Sequence, residues 1–298
     1  MDPVAFVDSL GGFASRRECV DAGLDDRLLR ALLDDGVLRR PRRGWYSTRR
    51  ATDPGFRAVA AGGRLTGVSA LAEYGAWAIK PSPVLHVAVP VHGNGNAESD
   101  VVLHWTDGGA GGTRSAVSIG DALVRVVLDE DLETAAVSID WALSSGRLDR
   151  IAFESMLNAL PDSARGIRAW VDHRSQSLLE TVARVRLLRR GWSVRSQTRV
   201  GQLQHIDLVV EDAVALELDG RRFHETTFSS DRRKDLLITI EGRHAIRIDH
   251  PILFTQWDDV ELAIESALRA RALANNSGVV PPEPRGKRSG RHPSRINS

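Results

Sequence analysis

Two short apolar segments, HIDLVV at 205–210 and AVALELD at 213–219, carry carboxylates inside runs that otherwise suit a buried sheet. Asp207 lies in the first, Glu217 and Asp219 in the second. Their length, β-branched content and separation by Glu211-Asp212 predict adjacent strands. A buried charge is costly unless something compensates it, so a chain that gathers three acids here requires a cation or basic groups among them. Parity decides whether they gather. A two-residue turn through Glu211-Asp212 would set Val210 opposite Ala213 and Asp207 opposite Leu216, leaving Glu217 on the other face. An odd loop, or one bulge, aligns Asp207 with Glu217, because side chains alternate along a strand. Asp219, two residues on, shares the face of Glu217.

The flanking sequence predicts helices around such a sheet. SLLE at 177–180 has capping-box spacing and opens an arginine-rich helix that stops at Gly191. Glu180 then either accepts the Ser177 backbone N–H or reaches the acidic patch. WSVRSQTRV adds a strand, Phe228 to Glu241 a helix, His244 to Ile248 a strand and Asp258 to Ala272 a closing helix. The resulting α-β-β-β-α-β-α order is a mixed sheet flanked by helices. His224, in GRRFHE, is a proton carrier or a solvated turn residue; Arg232, Arg233 and Lys234, after a capping Asp231, are a phosphate clamp or a solvated face. Phosphodiester hydrolysis needs a divalent cation to generate hydroxide and neutralise developing charge. Mg2+ or Mn2+ takes oxygen ligands, which Asp207 and Glu217 can supply.

The first fifty residues have a different outline. A short apolar helix from Val4 to Leu10 stops at Gly11-Gly12, Ser15 caps a second ending near Gly23, and Asp25 caps a third running to Gly36. Val37-Leu38 and Trp45-Tyr46-Ser47 then flank a turn rich in Pro, Gly and Arg. Three helices and a basic hairpin outline a winged helix, with Arg27 and Arg30 on the groove-facing helix and Arg39, Arg40, Arg42 and Arg43 on a phosphate-contacting wing. Asp25, Asp26, Asp34 and Asp35 on the same third helix oppose phosphate approach. Net charge is only +1 over 298 residues, and the last eighteen hold Arg285, Lys287, Arg288, Arg291 and Arg295 against Glu283 alone. A case for nucleic acid therefore rests on local patches.

Between these regions, 51–165 reads as mixed α+β: a helix entered through Thr66 or Ser69, strands VLHVAVPV and VVLHW, a glycine-rich link from Asp107 to Thr113, then a helical tail reaching Pro161. DGGAGG lacks the Lys-Ser/Thr of a phosphate loop and reads as a turn. His86 and His104, each alone on a strand, read as packed or solvated side chains. Cys19 is the single cysteine, no run approaches a membrane span, and MDPVAFVDSLGG lacks the regions of a signal peptide, so a reducing cytoplasm is expected.

Two family resemblances add to this. GGFASRRECVDAG followed by LLRALLDDGVLRRPRRGWYS resembles the winged-helix domain of AbiEi antitoxins of type IV toxin–antitoxin systems, which implies a regulator binding promoter DNA. SLLE, HIDLVV, ALELDGRRFH, SSDRRKD and GRHAIRID, spread over 177–259, resemble the Vsr-like branch of the PD-(D/E)xK nucleases. That likeness implies a restriction-endonuclease-like core in which Asp207 and Glu217 hold Mg2+, Glu180 assists and His224 moves a proton. Asp219 stands where the superfamily has lysine, and Arg221, Arg222 or Lys234 are the nearby replacements. The expected architecture is an α/β multidomain chain: winged helix 1–50, middle region 51–165, nuclease-like domain 166–275 and a basic disordered tail 276–298. The leading expectation is a DNA endonuclease targeted by the winged helix. The alternative is a non-catalytic DNA-binding regulator on a degenerate nuclease fold, with a second copy of the chain and a toxin or phage-defence protein as further candidate partners.

Overall fold

The computed structural model describes residues 2–93, 95, 98–107, 111–201, 204–219, 234 and 236–276. They form a mixed α/β structure with three separate sheets. The basic tail and His224 lie outside the described residues.

Capping side chains set the first three helices. α1 (Pro3–Ser9) starts on Asp2, whose carboxylate accepts the Val4 N–H, with proline where a missing N–H costs nothing. α2 (Arg16–Asp21) opens with a full Ser15/Glu18 capping box, and α3 (Asp26–Asp34) with Asp25 accepting the Leu28 N–H at 2.8 Å. The expected hairpin of Val37-Leu38 with Trp45–Ser47 is only partly formed. Instead β2 (Trp45–Ser47) pairs along its length with β1 (Phe13–Ser15) and meets the other arm through the single Arg39↔Ser47 bridge. Gly11 and Gly12, both at positive φ, bring the chain round after α1 so that Phe13 pairs there and is fully buried. Val7, Ala14, Cys19, Leu24, Leu29, Leu38 and Tyr46 make a core of their own.

The middle region is built on a sheet of order β3 (Arg64–Leu65), β4 (Leu85–Pro90), β5 (Val101–Thr106), with β3 antiparallel to β4 and β4 parallel to β5. α4 (Pro54–Ala60) precedes it and α5 (Gly67–Glu73) lies between β3 and β4, its N-cap at Thr66 as expected. The helical tail divides into α6 (Ile119–Asp129), α7 (Leu132–Ser144), α8 (Arg150–Ala159) and a 3-10 helix (Asp162–Trp170), the first three capped by Ser118, Asp131 and Asp149. α7 is buried continuously from Ala135 to Ala142 and packs on α6, the 3-10 helix and the following region.

α9 (Leu178–Arg189) begins that following region, crossing the sheet of order β6 (Val194–Val200), β7 (Gln204–Val210), β8 (Val214–Asp219), β9 (His244–Asp249). β6, β7 and β8 are antiparallel and β9 is parallel to β8, the mixed sheet expected from the element order. Residues 234 and 236–240 are helical. α10 (His250–Thr255), absent from the sequence expectation, starts on Asp249 with Pro251 in its first turn, and α11 (Trp257–Asn276) closes the region. One face of the sheet buries Leu208, Val210, Leu216 and Leu218 against α9, α10 and α11. The other packs Val209 and Ala215 against Ile238. Among the described residues no helix is long and apolar enough to cross a membrane.

Candidate active site

The β7–β8 turn has the odd count. Ala213 N–H donates to the Val210 carbonyl at 2.9 Å, and Glu211 and Asp212 both take positive φ, the backbone of a tight two-residue turn. The register nevertheless pairs Val210 with Val214, so Ala213 is an extra residue in the second arm. Leu208↔Leu216 follows, and its continuation sets Asp207 opposite Glu217. Both acids therefore rise from the face that carries Val209, Ala215 and Ile238.

Burial makes this pair unusual. Glu217 is 7% exposed, and burial first, then the neighbouring Asp207 carboxylate, pushes its pKa up to about 7. Asp207, half-buried, is also raised, mainly by burial, while the Leu218 N–H donated to its Oδ2 at 2.8 Å and the Lys234 ammonium oppose the shift. Lys234 donates to Glu217 Oε2, and Arg247 on β9 adds a second favourable charge. Oε1 of Glu217 is buried without a hydrogen-bond partner among the described residues. Asp219 ends β8, exposed, and its charge adds to the load on Asp207.

Glu180 takes the Gln176 N–H in place of the expected Ser177 backbone N–H, and it also reaches the acidic patch through Gln197. Its N–H donates to the Ser177 hydroxyl at 3.2 Å, while its carboxylate accepts the Gln176 N–H, the Ser177 hydroxyl and the Gln197 side-chain amide at 2.9–3.0 Å. It is 5% exposed, and burial raises its pKa, with the Asp207 charge contributing. Gln197 was invisible to sequence reasoning. The β6–β7 register places it opposite Asp207, and a φ of 49° turns its amide so that it donates to Glu180 and contacts Asp207. A non-glycine residue held in this backbone region marks a local constraint. The signal available beforehand was positional only, a polar residue mid-strand facing an acid.

A buried and a half-buried carboxylate on one face, a carboxylate oxygen with no partner among the described residues, and an all-oxygen donor set fit a hard divalent cation. Glu180, Asp207, Glu217, Gln197 and Lys234 thus converge, drawn from α9, β7, β8, β6 and the helical segment after β8.

The N-terminal arginines are displayed toward solvent. Arg27 and Arg30 are exposed on α3, Arg40, Arg42 and Arg43 on the turn before β2, and Arg39 is half-buried at the base of that turn. Arg42 also stacks on the Trp45 ring, 5.2 Å from its centroid. The acids of α3 that opposed phosphate approach are partly engaged: Asp25 caps the helix and Asp26 forms an ion pair with Arg16.

The fold and these sites define a mixed α/β protein with an exposed basic turn at one end and a carboxylate–lysine cluster on a sheet at the other. Residues 1–48 match the family model described as "Transcriptional regulator, AbiEi antitoxin". The chain is similar to a solved structure, the RV2827C protein from Mycobacterium tuberculosis, at 15% identity and a TM-score of 0.31, over 61% of this chain and 79% of that one. None of the curated proteins matches.

Proposed function

We propose that the chain is a DNA-binding protein whose first fifty residues act as a winged helix of the AbiEi-regulator kind, and whose C-terminal sheet carries a Vsr-like PD-(D/E)xK site that hydrolyses phosphodiesters. The match over residues 1–48 supports DNA binding, which both sequence-derived functions share. The observation that carries hydrolysis is the extra Ala213, which sets Asp207 and Glu217 on one face.

Asp207 and Glu217 would hold Mg2+ or Mn2+, which supplies an activated water and neutralises charge on the phosphate. Lys234, bonded to Glu217, is the cation that the superfamily places two residues after the second acid, where this chain has Asp219. With a cation held by Asp207 and Glu217, Lys234 would be the nearby ammonium able to donate to phosphoryl oxygens. Gln197 keeps Glu180 and Asp207 apart and oriented by holding an amide proton between their charges. His224 is assigned the proton transfer on resemblance alone. The purified chain is expected to nick supercoiled plasmid with Mg2+ or Mn2+ and not with EDTA, and Glu217→Ala is expected to abolish nicking while its circular dichroism stays that of the parent. Equal nicking by Glu217→Ala would remove the assignment.

The family match specifically favours a second reading, a regulator that binds promoter DNA without cutting it. That protein would shift DNA in a salt-sensitive, metal-independent way and leave plasmid intact under every metal condition.

A further inference from the structure

Among the described residues, one group outside the carboxylate–lysine cluster brings three metal-ligating side chains together. His86 on β4 and His104 on β5 stand on one face of the parallel pair, since the register sets His104 opposite Ala88, two residues beyond His86. Asp129, the last residue of α6, closes over them. His86 Nδ1 lies 2.9 Å from His104 Nε2, and the rings stack with centroids 5.2 Å apart and 17° between planes. His104 Nδ1 lies 3.7 Å from Asp129 Oδ2, and one ligand atom from each residue falls within 4.8 Å of the others. Arg125 donates to Oδ1 of Asp129, which leaves Oδ2 turned toward the histidines.

We propose that His86, His104 and Asp129 bind a divalent transition-metal ion of the Zn2+ class. Two imidazole nitrogens and one carboxylate are a borderline donor set, suited to Zn2+, Co2+ or Ni2+ and poorly suited to Mg2+. Ligands at about 2.0–2.1 Å on a tetrahedral ion stand about 3.3 Å apart. The histidine nitrogens need to open by a few tenths of an ångström, and the carboxylate has to approach by at most about 1.5 Å, which side-chain rotation provides. The His104 side chain is 15% exposed and Asp129 lies at the solvent edge, so an ion has a path in and a fourth position for water. Arg125 is the facing positive charge; it lowers affinity while fixing the carboxylate. An ion here ties α6 to β4 and β5, through elements that the carboxylate–lysine cluster does not use.

The test uses the full-length, untagged chain, stripped with chelator and kept in millimolar Mg2+ so that the carboxylate–lysine cluster is saturated. Titration with Co2+ is expected to show uptake of one ion with the visible d–d absorption of a four-coordinate site, displaced by Zn2+. With Zn2+ at a hundred times Kd, Tm is expected to rise by roughly 5 °C. His86→Ala is expected to abolish both signals, Asp129→Asn to weaken Co2+ binding at least tenfold, and Asp207→Asn to change neither. Absence of the Co2+ spectrum overturns the proposal. So does an unchanged Co2+ affinity in both His86→Ala and Asp129→Asn, which would place the ion elsewhere; because Asp129→Asn alters one rim carboxylate, it reports even where the histidine variant fails to fold.

Discussion

Glu217 is a buried carboxyl beside a second one, and its titration is testable without any substrate. Its folded pKa of about 7 lies above the ordinary 4.5. Between those values the folded protein holds a proton that the unfolded chain has released, so stability falls as pH rises from 4.5 to 7 and is flat above. The shift corresponds to about 3 kcal/mol across that window. In EDTA, urea unfolding of the parent is expected to show this loss and Glu217→Gln to lack it; parallel pH profiles would contradict the burial argument. Gln197 is a second handle. Its φ of 49° suits glycine, so Gln197→Gly is expected to exceed Gln197→Ala in stability by about 1 kcal/mol in the same assay. Both variants lose the amide between Glu180 and Asp207, so both are expected to nick DNA more slowly than the parent. The three acids were legible in the sequence because charges stand out in apolar runs. Gln197 was not, since its role depends on a backbone angle and on the strand it faces.

At the level of elements, three helices were legible because a capping side chain announced them. Ser15, Asp25 and Ser177 each accept the N–H expected of a cap. The strand at Phe13–Ser15 and the helix at His250–Thr255 were not, being set by tertiary pairing and by Asp249 capping directly off a strand end. The parity of the β7–β8 connection could be posed as a question from sequence. Its answer could not, because Ala213 is bonded to Val210 across the turn yet stands outside the β7–β8 register, while its carbonyl accepts the His244 N–H of β9, a long-range pairing. Long-range polar contacts were equally hidden. Asp140 on α7 is fully buried and accepts from Thr181, from Arg184 at 2.7 Å and from the Asp172 N–H. Arg184, 4% exposed, also donates to the Trp170 carbonyl, so this pair fastens α9 to the middle region. Replacing one partner strands the other as a buried charge, and Asp140→Ala is expected to cost about 3–5 kcal/mol in urea unfolding. A loss below 1 kcal/mol would mean that the contact is not formed in solution.

For the whole molecule, the two ends make separable demands. The DNA attraction proposed for the N-terminus is electrostatic, so replacing Arg40, Arg42 and Arg43 with alanine is expected to lower the slope of log K against log salt by about 2 to 3, at roughly 0.9 per phosphate contact, measured by fluorescence anisotropy. An unchanged slope would move the DNA contact elsewhere. Contacts between regions oppose complete independence. Arg114, in the loop before α6, donates two hydrogen bonds to Glu18 at 2.6 and 2.9 Å, and with Ser15 this holds the Glu18 carboxyl at about 2. That contribution is present above the ordinary 4.5 and disappears as pH falls through about 2. The central claim concerns the other end, where Asp207 and Glu217 share one ion. Mn2+ binding to the full chain, followed by electron paramagnetic resonance in Asp207→Asn, Glu217→Gln and the double variant, tests it most directly. One Mn2+ is expected to be lost in each single variant, with nothing further lost in the double; retention of that ion in both single variants, or independent losses that add in the double, would contradict a shared site.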